Sequence, residues 1–140
     1  MAFKEKVAAA QGGEANRRIA AALEEKGLKN EIACAEAESI ARALHEEMAE
    51  VGRNLDLRGV RIIRCQLGLF GYGEEKKIVK PAPEVTPEMR QAITDALVED
   101  RLPCLAAWEI AGRLGVPRMA VAAAGEAMGL KVRPCQLGAF

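Results

Sequence analysis

The chain repeats itself. A shift of 70 residues, half of its 140, lays residues 32–70 on residues 102–140 without a gap. Twelve of these 39 positions are identical. They are Cys34/Cys104, Ala37/Ala107, Ile40/Ile110, Ala41/Ala111, Leu44/Leu114, Val51/Val121, Gly59/Gly129, and the string Cys65-Gln66-Leu67-Gly68 with Phe70 against Cys135-Gln136-Leu137-Gly138 with Phe140. A repeat of this period restricts the fold to a small supersecondary unit used twice in tandem.

Composition says what such a unit can be built from. Half of the residues are hydrophobic, but only five are aromatic, so the core must rest on Leu, Ile, Val, Ala and Met. Twenty acids balance twenty bases, and each half of the chain is separately neutral, which argues against indiscriminate polyanion binding. No apolar run approaches the length of a membrane span, and the first residues lack the apolar stretch of a secretory signal. A cytoplasmic protein is expected, with cysteines kept as thiols or metal ligands rather than disulfides.

Periodicity places three helices in each repeat. Residues 1–11 read as a short amphipathic segment, and residues 14–26 as a first helix stopped at Gly27. Its counterpart opens at Thr86-Pro87-Glu88, with Met89, Ile93 and Leu97 on one face. Second helices start near Cys34 and Cys104, and the residues the repeats share are the inward ones. Third helices over residues 46–57 and 117–128 stop before Gly59 and Gly129. Short strands follow at residues 60–63 and 130–133, with Pro134 ending the second. Residues 71–75 turn the chain, residues 76–80 are expected to return as a partner strand, and Pro81-Ala82-Pro83 links the repeats.

Three helices, a strand and a hairpin follow the order of a winged helix. The run Trp108-Glu109-Ile110-Ala111-Gly112-Arg113-Leu114-Gly115-Val116-Pro117-Arg118-Met119-Ala120-Val121 resembles the helix-turn-helix of bacterial transcription regulators. Ile110, Ala111 and Leu114 pack the second helix, Gly115 permits the tight turn, Pro117 opens the third helix and Val121 packs back inside. Repeat one departs from this pattern. His45-Glu46-Glu47 replaces Gly115-Val116-Pro117, so the helices there are expected to run on or meet differently. The resulting expectation is a mainly α fold with short β-strands. It has two tandem winged-helix-like repeats related by a pseudo-twofold, over residues 1–70 and 86–140, joined by residues 71–85.

The resemblance implies a DNA-binding transcriptional regulator acting on double-stranded DNA, while the alanine-rich third helix suggests a face that buries against the other repeat or, in a homodimer, another subunit. A third helix that reads base edges needs polar donors near its start. Repeat two supplies Arg118 and then mostly alanine, whereas repeat one supplies Glu46, Glu47 and Glu50, with Arg53 and Asn54 late. Local charge is more favourable: residues 51–80 carry seven bases against three acids, and residues 101–140 five against two. The candidate DNA contacts are therefore Arg113, Arg118, Lys131 and Arg133, with Arg61, Arg64, Lys76 and Lys77 around the first strand and wing.

Each repeat has one cysteine at the start of its second helix and one after its strand, 31 residues apart. That is not the short spacing of common zinc sites, and buried small-hydrophobe roles compete with metal or redox roles. The Cys-Gln-Leu-Gly string has two accounts. In one, Leu67/Leu137 and Phe70/Phe140 anchor the end of the strand, Gly68/Gly138 supplies an unusual backbone angle, and Gln66/Gln136 satisfies buried backbone groups. In the other, Cys65, Gln66, Cys135 and Gln136, with Cys34 and Cys104, form a ligand or metal site. The alternative function is thus a helix-turn-helix scaffold without DNA binding, serving oligomerisation or ligand or metal sensing. No phosphate loop or hydrolase motif points to an enzyme, and no cofactor is expected.

Overall fold

A computed structural model describes residues 16–27 and 30–139. The amphipathic segment expected at residues 1–11, and Phe140, lie outside the described residues. The described chain is mainly helical, with short strands. Its elements run α1 (Arg17–Glu25), β1 (Glu31–Ala33), α2 (Cys34–Leu44), α3 (Met48–Arg58), β2 (Arg61–Ile63), α4 (Pro87–Ala96), β3 (Arg101–Leu102), α5 (Cys104–Leu114), α6 (Arg118–Ala127) and β4 (Lys131–Val132). Among the described residues, no helix is long and apolar enough to cross a membrane.

The chain divides into two compact units. Unit one runs to Ile63 and takes in Leu137–Ala139, and unit two spans Arg64–Gln136. The units and the sequence repeats therefore do not share boundaries. Each unit has the order helix, strand, helix, helix, strand.

The helix starts follow from local sequence. The Asn16 side chain accepts from the N–H groups of Arg18 and Ile19 and so caps α1. Thr86 Oγ1 accepts from Met89 N–H at 3.1 Å, with Pro87 at the first helical position. The shared apolar positions point inward in both units. Ala37 and Ala107 are fully buried, Ile40 and Ile110 are 3% exposed, and Val51 and Val121 are fully buried. Small alanines at 37, 41, 107 and 111 let the flanking helices approach closely.

The two turns between second and third helices prove equivalent, against expectation. Gly115 closes α5 at φ 69°, ψ 35°, and His45 closes α2 at φ 56°, ψ 42°. In both, the following residue's N–H reaches back to the carbonyl five residues earlier: Val116 to Ala111 at 3.0 Å and Glu46 to Ala41 at 2.9 Å. This Schellman-type closure holds a histidine in the left-handed region that glycine enters freely.

A second correction concerns the wing. Residues 76–80 form no strand, and β2 pairs instead with β1, in parallel, with Glu31, Ile32 and Ala33 opposite Arg61, Ile62 and Ile63. In unit two, β3 pairs with β4 in the same sense. The helix pairs α2–α3 and α5–α6 thus serve as the crossovers that parallel strands require. The return strand fails because Ile78 and Val79 N–H both donate to Gly68 O, at 2.9 and 3.0 Å. Arg64 at φ 51° and Lys76 at φ 60° turn the chain away from an extended path.

Unit one also contains a buried polar network. Asn54 is 1% exposed. Its Oδ1 accepts from Asn16 N–H at 2.8 Å, and its Nδ2 donates to Glu50 O at 2.9 Å. Asn16 Nδ2 and Arg18 Nη1 both donate to Glu46 Oε2. Arg53 forms a two-pronged pair with Glu50, which holds the Glu50 carboxyl below its usual range.

Replacing His45 by glycine should stabilise the protein by about 1 kcal/mol, since an L-residue pays roughly that for the left-handed region. Gly115→Ala should cost a similar amount. Urea unfolding midpoints would check both, and an unchanged midpoint for His45→Gly would mean that the side chain offsets the backbone cost.

Candidate functional site

The Cys-Gln-Leu-Gly string is a tight turn with a buried leucine at its tip. Arg64 N–H donates to Gly71 O and Cys65 N–H to Phe70 O, at 3.2 and 3.1 Å, and Gly68 N–H donates to Cys65 O at 2.9 Å. Tyr72 Oη donates to Cys65 O at 2.6 Å and ties the turn's stem to the next segment. Leu67 is fully buried in the core of unit two, with Ile93, Leu102 and Val121. Gly68 adopts φ 77°, and a Cβ there would lie 3.1 Å from both Val79 Cβ and Met119 Cε. Both backbone angle and space therefore call for glycine.

The second copy is built on the same demands. Gly138 adopts φ 83°, and Leu137 is 3% exposed within unit one. Its backbone lies so close to α3 that a Cβ at position 52 would meet Leu137 O at an impossible distance, so Gly52 is required in mid-helix. Sequence reasoning passed over Gly52, yet a glycine inside a helix is itself a sign of close backbone approach.

Each of the two glutamines meets a side chain. Gln66 Oε1 accepts from Arg118 Nη1 at 2.8 Å, and the Arg118 guanidinium stacks 3.6 Å from the Trp108 ring centroid. Gln136 Nε2 donates to Cys104 Sγ at 3.4 Å. Beside it, Cys104 N–H donates to Pro134 O at 3.1 Å.

Unit two thereby gathers three of the four cysteines, Cys65, Cys104 and Cys135, close enough that ionising one disfavours another. Cys34 is buried in unit one, and none of the four forms a disulfide. Burial is the main cause that pushes the Cys104 thiol up to about 11, and the neighbouring cysteines add to it. The Gln136 donor and the position at the start of α5 favour a thiolate, but desolvation wins. Burial also raises Cys65. Among the described residues, no three His, Cys, Asp or Glu side chains are gathered as a metal ion would need.

The basic residues fall into two groups. Arg61 pairs with Glu31 at 2.6 Å, Lys77 pairs with Glu126 at 2.8 Å, and Arg118 is held between Trp108 and Gln66. Arg64, Lys76, Arg113, Lys131 and Arg133 are exposed and, among the described residues, have no ion-pair partner. Arg53 and Asn54 are taken up in the network of unit one.

Helix α6 is covered along its length by the segment before α4. Gln66 holds Arg118, Gly68 lies against Met119, Ala82 N–H donates to Ala123 O at 2.9 Å, and Lys77 pairs with Glu126. Val121, Ala122, Ala124 and Gly125 are buried, Ala120 is half-buried and Ala127 is exposed. A shallow groove of about 440 Å³ between residues 80–86 and helices α4 and α6 is walled mostly by Pro81, Val85, Met89 and alanines. Comparison of the chain with protein-family models, curated proteins and solved structures finds no match.

A thiol whose folded value lies above its unfolded one contributes stability that is complete below the unfolded value and lost as pH rises through the folded one. For Cys104 that window runs from 9.0 to about 11. Unfolding free energy should therefore fall over that range, and less steeply in Cys104→Ala. Equal slopes for the two proteins would mean that the thiol is solvated.

Proposed function

We propose that this chain is a helix-turn-helix scaffold that works as an assembly module, and that its third helices are seats for the Cys-Gln-Leu-Gly turns rather than readers of DNA. The covered face of α6 carries this reading. A recognition helix must present polar side chains to the floor of the major groove. Here the side chain best placed to do so, Arg118, is stacked on Trp108 and bonded to Gln66. In unit one, α3 has Leu137 against Gly52, and its Arg53 and Asn54 are bonded to Glu50. The tandem-repeat reading belongs to this proposal: two copies of one helix-turn-helix, each with a seat for the string. Sensing of a metal by the thiols is less well supported, because burial raises the Cys65 and Cys104 thiols and, among the described residues, no three donors are placed as a metal ion needs.

A second reading retains DNA. It is favoured by Arg113, Lys131 and Arg133, which are exposed and unpaired among the described residues of unit two. Such residues would hold phosphates and leave sequence unread.

Titration of the reduced protein with a mixed duplex pool, from low to physiological salt, separates these readings. The scaffold predicts no binding, or weak binding lost with salt and without sequence preference. The phosphate reading predicts that Arg113→Ala, Lys131→Ala and Arg133→Ala each lower the salt slope by about one. A preferred sequence class that survives physiological salt and disappears in Arg118→Ala would overturn the scaffold reading.

A further inference from the structure

The sequence repeat and the compact unit are out of phase by one segment, and that segment is the repeated string. Leu67 follows the first helix-turn-helix in sequence but is buried in unit two. Leu137 follows the second but is buried in unit one. Each three-helix unit is therefore finished by a turn that arrives from the other repeat. The crossings are abrupt: β2 ends at Ile63 and unit two begins at Arg64, while Gln136 belongs to unit two and Leu137 to unit one.

We propose that the unit-one seat at Gly52 also accepts the Leu137 string of a second copy of this chain, so that two chains associate by trading these strings. This rests on the scaffold reading above and names its partner. The contacts are the ones each monomer already makes: a leucine in the core, a glycine at positive φ, and helix backbone brought close by Gly52. A string from another copy is chemically the same string, so exchange requires no new interface. Reciprocal exchange uses each seat and each string once and closes at a dimer instead of growing into a filament. The chain passes from unit two to unit one between Gln136 and Leu137, so only the residues after Gln136 have to change seat. Within one chain the string is at high effective concentration, so the monomer prevails in dilute solution and the dimer when the internal route is blocked or protein is concentrated.

Two full-length variants test this by complementation. Gly52→Leu fills the seat and leaves its own Leu137 string displaced. Leu137→Asp keeps the seat but carries a string that cannot enter an apolar core. Each alone should be a monomer by sedimentation and native mass spectrometry, and an equimolar mixture should yield a one-to-one heterodimer. Mixed variants that remain monomeric, while each retains the wild-type helical circular dichroism, would overturn the proposal. Should either variant fail to fold, the wild-type protein refolded from denaturant decides the question. Its dimer fraction should rise with the protein concentration at refolding, and no dimer at any concentration would overturn the exchange. Neither assay contains DNA, so its outcome is separable from the salt titration.

Discussion

Two leucine side chains, Leu67 and Leu137, set the terms for the rest of the structure. Each is at most 3% exposed, and burying a leucine is worth roughly 1.5–3 kcal/mol. Both are carried on turns, so their backbones must come close to a helix before the side chains reach the core. Gly52 answers this in unit one, although glycine within a helix costs roughly 0.5–1 kcal/mol relative to alanine. In unit two, Gly68 answers it by its own angle and by the room it leaves for Met119 and Val79. Once Gly68 O has taken the N–H groups of Ile78 and Val79, residues 76–80 are unavailable to β2. The parallel partner β1 then closes the sheet that a wing would otherwise have closed.

Local signals were legible in the sequence; exchanged ones were not. The caps at Thr86, the left-handed stops at Gly59, Gly115 and Gly129, and the inward identities at Ala37, Ile40 and Val51 are decided within one or two turns of chain. His45 escaped because its left-handed angle is imposed by the Schellman closure between Glu46 and Ala41, against the preference of the residue. The strand pairing escaped because β1 has three residues and β3 only two, too short for a period of two to show. The destination of the string lay furthest from reach. Nothing in Cys-Gln-Leu-Gly says which of two similar units it enters, since the string is identical in both copies and the residue that admits Leu137, Gly52, lies 85 positions away. The basic residues were countable, but pairing of Arg61 with Glu31 and stacking of Arg118 on Trp108 depend on tertiary neighbours.

The thiols show the same competition between local and tertiary effects. Cys104 opens a helix and has an amide donor at its sulfur, two features that lower a thiol's pKa. Burial outweighs both, and the Cys104 thiol stands at about 11. A cysteine in that state is a small apolar side chain that fills space at a crowded helix start. This fits its place beside Leu102 and Ala107 in the core of unit two.

The glutamine of the string explains why the motif can stay identical while its two surroundings differ. Gln66 accepts a bond from the Arg118 guanidinium, and Gln136 donates one to the Cys104 sulfur. A carboxylate would serve Arg118 better, but beside Cys104 it would offer no donor and would set a negative charge against a thiol that burial already keeps neutral. A lysine would suit the sulfur and repel Arg118. A side-chain amide both accepts and donates, and glutamine has the reach to do either from the same place in the turn. One residue type thus meets two different partners within unit two, a guanidinium at Gln66 and a thiol at Gln136, from the same place in the turn.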